Sequence, residues 1–172
     1  MNEQPTNPSP PIAEGHPRHV VVVSALVRNA AGQVLLIRHH KRGWEIPQGR
    51  VEEGEGLVEA LHREVHEETG VTVAIGPLVA VHSKLTPPAA LVLSFLATSI
   101  GGMLTPSAES PELGWFETSA ALERVVHPVN RQRLETLLDY QGQTLFVNYV
   151  TQPFRVLAQA TATPSCLPTG AA

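Results

Sequence analysis

Between Leu57 and Thr69 the apolar residues recur with a helical period, and three glutamates fall within, beside or along the edge of the stripe that period lays down. At about 100° per residue, with Leu57 at zero, Leu61 falls near about 40° and Val65 near about 80°. Glu68 then falls near about 20°, Glu64 near about 340° and Glu67 near about 280°. Two glutamates lie in or beside the apolar stripe and the third flanks it, while Glu59, His62, Arg63 and His66 point elsewhere. Gly70 follows Thr69 as the expected C-terminal residue of this helix.

The rest of the chain alternates short apolar runs with turns. His19–Arg28 is Val-rich and reads as a buried strand, Asn29–Gly32 as a turn, and Gln33–Arg38 as the second arm of a hairpin. Trp44–Ile46 is a brief strand before Pro47. Val71–Ile75 and Leu78–Ser83 are strands, and Ala89–Ala97 is the strongest central strand by its unbroken apolar run. Leu113–Phe116 is a further short strand. Ser119–Val126 is helical with Ser119 as its N-cap, and a second helix runs from Asn130 to Tyr140 on Leu134, Leu137 and Leu138. Gln143–Val150 fits either a strand or a helical extension. The composite is a mixed sheet flanked by helices.

The three glutamates are costly as placed. Like charges at i,i+4, here Glu64 and Glu68, destabilise a helix. Carboxylates partly buried without partners cost several kcal/mol or protonate. A hard divalent cation such as Mg²⁺, which takes oxygen ligands and keeps several waters, removes both problems. A plainer reading is a solvated acidic face in which Arg63 pairs with Glu59 or Glu67. Upstream, Pro47, Gly49, Gly54 and Gly56 make a turn-rich loop that can bring backbone carbonyls close to an ion.

At 172 residues the chain is one domain with length enough for a core, and 42% hydrophobic with 16% charged residues suits a globular protein. Net charge is −4. No basic stripe tracks a phosphate backbone, so duplex nucleic acid is not an expected partner. The single cysteine, Cys166, permits no disulfide within the chain and fits a reducing, cytoplasmic compartment. Residues 1–17 are polar and Pro-rich, an extended or disordered arm without the pattern of a signal peptide. The folded domain is expected over residues 18–158, with a tail over 159–172. No segment approaches the roughly 20 apolar residues of a membrane helix.

The segment GRVEEGEGLVEALHREVHEETGV resembles the Nudix box, G-x5-E-x7-R-E-U-x-E-E-x-G-U with U aliphatic. It supplies Gly49, Glu55, Arg63, Glu64, Val65, Glu67, Glu68, Gly70 and Val71 without departure. The resemblance implies an α/β/α sandwich, an α+β fold with a central mixed sheet. It also implies hydrolysis of a nucleoside diphosphate linked to another moiety, with Mg²⁺ or Mn²⁺. On it, Glu67 and Glu68 are metal ligands and Glu64 is ligand or general base. Arg63 orients a glutamate with Glu55 as its partner, and Gln48 contributes its main-chain carbonyl to the metal. Gly49, Glu55 and Gly70 are then structural positions of the box.

Outside the box, Glu109 and Glu112 are candidates for a further acid, with Glu109 preferred because E-x-x-E-x-x-W resembles a segment frequent in the family. His39, His40, Lys41 and Arg42 form the one basic cluster of the sequence, where Lys41 and Arg42 can hold substrate phosphate or stand in a solvated turn. Trp44 can stack on a base or pack in the core. His62 and His66 read as surface residues, and His82 and His127 lack companions at metal-ligand spacing. Three functions compete. The first is a pyrophosphohydrolase acting on a small nucleotide of the ADP-ribose, nucleotide sugar or dinucleoside polyphosphate type, or on a nucleoside triphosphate. The second is a nucleotide sensor that does not cleave, and the third a scaffold. A homodimer is left open.

Overall fold

The computed structural model describes residues 18–162; the N-terminal arm, Cys166 and the end of the expected tail lie outside them. Among the described residues, nine strands and three helices follow in the order β1 (Val20–Arg28), β2 (Val34–His39), β3 (Gly43–Glu45), β4 (Gln48–Arg50), α1 (Leu57–Thr69), β5 (Val71–Lys84), β6 (Ala90–Gly102), β7 (Glu112–Phe116), α2 (Thr118–Arg124), α3 (Pro128–Leu138), β8 (Leu145–Thr151) and β9 (Phe154–Thr161). One open mixed sheet runs β3-β2-β1-β6-β5-β8-β9, with β4 paired to β1 and β7 to β2. The β1–β6 and β5–β8 pairs are parallel and the others antiparallel.

The two faces of the sheet follow from the two-residue period of the strands. Val23, Ala25 and Val27 of β1 and Leu35 of β2 face α1, where they meet Ala60, Leu61 and Val65. Leu26, Val34 and Leu36 face the other way and meet Ala121, Val125, Leu134 and Leu137 of the α2–α3 side. Strands covered on both faces read as continuous apolar runs, which is how β1 and β6 announce themselves. Leu61 is fully buried, so its truncation to Ala should cost about 2–5 kcal/mol. The sandwich expected from the sequence is the observed architecture.

Several expectations are corrected. Val71–Ile75 and Leu78–Ser83 are one strand, β5, and the Gly76-Pro77 step that divides them in sequence sits in a register shift between Ile75 and Leu78. β4 is an additional strand, hidden between Pro47 and Val51 with the first box glycine, Gly49, at its centre. The segment from Gln143 resolves as strand β8, and β9 pairs with it antiparallel. β9 runs to Thr161, past Ala158, and its largely exposed residues carry no burial signal. Ser119 lies inside α2, whose cap position is Glu117. Helix α3 starts at Pro128, a good first-turn residue, and ends at Leu138. Leu57 is 39% exposed, so the buried stripe of α1 runs through Ala60, Leu61, Val65, Glu68 and Thr69.

The end of α1 is clasped by the end of β6. Gly70 takes the left-handed conformation, φ 73°. A methyl group on it would lie 2.3 Å from the Met103 carbonyl oxygen, and one on Gly102 2.2 Å from the Gly70 carbonyl oxygen. The Thr105 N–H donates to the Thr69 carbonyl at 2.9 Å. Among the described residues no helix is long and apolar enough to cross a membrane.

Candidate active site

Strand β4 brings the box together. It pairs Ser24 with Gln48, Val23 with Gly49 and Val22 with Arg50, so the loop before α1 lies along β1, opposite the carboxylates of the helix. The Gln48 N–H donates to Glu68 Oε2 at 3.0 Å. Gly49 lies so close to Glu64 that a methyl group there would fall 1.8 Å from Glu64 Cδ. Two residues of backbone therefore lie against two carboxylates, and a side chain at position 49 would close the gap.

Arg63 is the hub. Nε and Nη2 donate to the two oxygens of Glu55 at 2.7 and 2.8 Å, a fork-to-fork pair. Nη1 donates to Glu64 Oε1 at 2.9 Å and to Glu67 Oε2 at 3.2 Å, and Nη2 to the Arg50 carbonyl at 3.0 Å. Those bonds hold the Glu55 carboxyl down at about 2. Glu55 is thus the main partner of Arg63, and Glu67 a lesser one.

The three glutamates differ in environment as their angles on the helix imply. Glu68 is buried, Glu64 nearly so, and Glu67 is 59% exposed at its side chain. Burial pushes the Glu68 carboxyl up to about 8, opposed by the Gln48 N–H and reinforced by the charges of Glu64 and Glu45. Burial also raises Glu64, against the pull of Arg63. Among the described residues no three carboxylate, imidazole or thiol side chains stand together as a ready-made metal cage. What the site offers is an all-oxygen donor set and a carboxylate, Glu68, without a basic side chain bonded to it.

A cavity of about 410 Å³ opens over Arg63, Glu64, Glu67 and Glu68, and Glu109 lines its far side with Ser107 and Ala108. Glu112 is elsewhere, in an ion pair with Arg38. Lys41 is exposed in its loop and lines none of the cavities around the box. Arg42 donates to Glu45 through Nε at 2.9 Å and Nη2 at 2.6 Å, and lines a second cavity with Gln48, Gly49, Arg50 and Lys84. Trp44 packs edge-on against Phe116, ring centroids 5.2 Å apart, within the apolar cluster of the α2–α3 side. His62 and His66 are exposed.

Three polar residues near the box escape a sequence reading. Glu45 is fully buried and is bound by Arg42 and by Asn130 Nδ2 at 2.5 Å. Arg133, 7% exposed, donates from Nη1 to Gln48 Oε1 at 2.9 Å and from Nη2 to the Tyr149 hydroxyl at 2.8 Å. Its charge, after burial, helps hold His82 neutral, down to about 3. Asn130, Arg133, Leu134 and Leu137 follow the i, i+3, i+4, i+7 rule of a buried helix face. Polar residues on an apolar stripe are the same signal that picked out Glu64 and Glu68, and it was there to be read in α3.

A family model described as the NUDIX domain matches residues 18–137. The chain belongs to the Nudix family. Nudix hydrolases act on phosphoric anhydride bonds, and the matched span contains the box residues described above. The chain is 34% identical over 134 residues to a MutT-like protein of Streptomyces ambofaciens, covering 77% of this chain and 86% of that one. It is 32% identical over 140 residues to the 8-oxo-dGDP phosphatase NUDT18 of Danio rerio, where it spans 42% of the relative's length. Among solved structures, the MutT protein of Bacillus halodurans superposes with a TM-score of 0.66 at 26% identity, covering 83% of this chain and 97% of that one.

Proposed function

We propose that this chain is a metal-dependent pyrophosphohydrolase that cleaves a nucleoside diphosphate linked to a further group. The observation that carries the reading is the packing of β4 against α1: the Gln48 amide on Glu68, Gly49 against Glu64, and Arg63 gathering Glu64 and Glu67. Glu64, Glu67, Glu68 and the Gln48 carbonyl would hold Mg²⁺ or Mn²⁺, hard ions that suit an all-oxygen set. The ion, when bound, neutralises phosphate charge and lowers the pKa of a coordinated water.

The side chains supply the rest. Arg63 fixes the orientation of Glu64 while Glu55 fixes Arg63. Glu64 accepts the proton of the attacking water, and burial makes its carboxyl a stronger base than an ordinary one. Water oxygen bonds to phosphorus, the bridging P–O bond breaks, and the leaving phosphate takes the electron pair. Glu109 faces these groups across the cavity and either orients the water or limits the approach of anions. Of the two basic residues expected to hold substrate phosphate, Arg42 lines the cavity beside Gln48 and Gly49, whereas Lys41 lines none of the cavities around the box.

The names of the Danio rerio relative and of the 8-oxo-(d)GTP phosphatase of Mycolicibacterium smegmatis put oxidised guanine nucleotides first among substrates to try. The test is phosphate release from 8-oxo-dGDP, 8-oxo-dGTP, ADP-ribose, nucleotide sugars, diadenosine tetraphosphate and ordinary nucleoside triphosphates, with Mg²⁺, with Mn²⁺ and with chelator. Hydrolysis of at least one that vanishes with chelator supports the reading. Absence of turnover on the whole panel with either metal sinks it in favour of a nucleotide sensor.

A further inference from the structure

Among the described residues, Arg133 is a buried cation without a carboxylate partner. Its bonds go to a side-chain amide and a phenol, both neutral, and its Nε is buried and unpartnered. Among the described residues neither Arg133 nor Lys84 forms an ion pair. Burying such a charge costs several kcal/mol unless something compensates it. Both residues line one cavity, with His127, Val129, Asn130 and Tyr149. Arg42 also reaches it, but Glu45 already neutralises that side chain.

Two more features of this cavity favour negative charge. Helix α3 begins at its wall, and among the described residues no side chain caps that N-terminus. Pro128 has no N–H, so the amides of Val129 and Asn130 are the first-turn donors that bring the positive end of an eleven-residue helix to the space. The Nδ1 atom of His127, at the cap position, is buried and unpartnered as well, and in the tautomer that carries its proton there it donates to an anion. Through Gln48, whose side chain meets Arg133 and whose amide meets Glu68, the cavity adjoins the carboxylate site.

We propose that this cavity is an anion subsite, in which Lys84, Arg133 and the first turn of α3 hold a phosphate of the substrate that lies outside the anhydride being cut. The word substrate rests on the function proposed above; the affinity for an anion does not. The subsite favours nucleotides with a phosphate beyond the cleaved pair over those whose second moiety is neutral.

The experiment is calorimetric titration of the metal-free protein with inorganic tripolyphosphate, so that the carboxylate site has no cation with which to attract it. The wild type should bind. Lys84→Met, at a half-buried strand end, should weaken binding about tenfold, the worth of one charge-assisted hydrogen bond. Arg133→Lys, which keeps the charge, should bind better than Arg133→Gln at matched melting temperature. No binding by the wild type, or binding untouched by Lys84→Met, overturns the subsite, as does uncharged guanosine binding there in place of tripolyphosphate. A chain that hydrolyses none of the panel yet binds tripolyphosphate through Lys84 refutes the proposed function and leaves the subsite standing. An active hydrolase whose Lys84→Met variant binds tripolyphosphate like the wild type does the reverse.

Discussion

A methyl group at position 49 would lie 1.8 Å from Cδ of Glu64. The contact is with a side chain that Arg63 already holds, so the side chain cannot retreat without giving up that bond. Gly49→Ala should therefore fold, because Gly49 has an ordinary backbone angle, and should displace the Glu64 carboxylate. A displacement near 1 Å can cost about 10²-fold in rate. Steady-state kinetics and circular dichroism of Gly49→Ala check it; wild-type turnover would show that Glu64 works from another position.

Glu68→Gln removes a charge that burial disfavours while keeping its volume. Without metal the variant should melt above the wild type, and on adding Mg²⁺ it should gain less. The wild type should gain about 2.7 kcal/mol at a hundred times its Kd. Turnover should fall by orders of magnitude. Melting curves of both proteins with chelator and with excess Mg²⁺ decide the matter, and equal metal-induced gains would remove Glu68 from the ligand set.

Arg63 uses three nitrogens on five acceptor oxygens of four residues, a geometry a lysine cannot copy. Arg63→Lys should keep charge and fold but lose orientation of Glu64. The expected result is a fall in kcat of about 10²-fold with a smaller change in KM. A lysine enzyme with normal kcat would reduce Arg63 to a general source of positive charge.

Glu109 and Glu112 make a controlled pair. Glu109 shares a cavity with the box glutamates. Glu112 is 53% exposed in a surface pair with Arg38, an arrangement worth about 0–1 kcal/mol. Glu109→Gln should depress turnover, and Glu112→Gln should leave turnover and stability near wild type. The reverse ranking would move the catalytic contribution to the strand that pairs with β2.

His82 supplies a stability test in acid. The side chain is 1% exposed, with one ring nitrogen on Gln132 and the other unpartnered. Burial, then the charge of Arg133, lowers its pKa to about 3 from an ordinary 6.5. Below pH 6.5 the unfolded chain takes up a proton that the folded chain refuses until about pH 3. Stability from this group is whole above pH 6.5 and is lost as pH falls toward 3, at up to about 1.4 kcal/mol per pH unit. Urea midpoints from pH 7 to pH 4 should fall more steeply for wild type than for His82→Gln. Parallel curves would mean that the ring is solvated.

The carboxylate helix was legible because its period is regular and its exceptions are charged. The apolar period marks the extent of α1, the glycine after Thr69 marks its cap, and the unequal burial of Glu64, Glu67 and Glu68 follows from the angular count. β4 was not legible, since three residues containing a glycine carry no alternation and owe their conformation to β1. The partner of Arg42 was also hidden. Glu45 stands in a strand where the neighbours predict only a core, and its second partner, Asn130, is 85 residues away. The chain records local periodicity well, whereas long-range neutralisation of a buried charge appears only once the layers are assembled.

The clasp of Gly70 by Gly102, Met103 and Thr105 bears on hydrogen exchange. Terminal turns ordinarily exchange their amides through local fraying, at low free energy. The last turn of α1, which carries Glu67 and Glu68, is bonded instead to the segment leaving β6. Its amides should exchange on the slow scale of the sheet, and the spacing of those two carboxylates is then set by the sheet's opening rather than the helix's own.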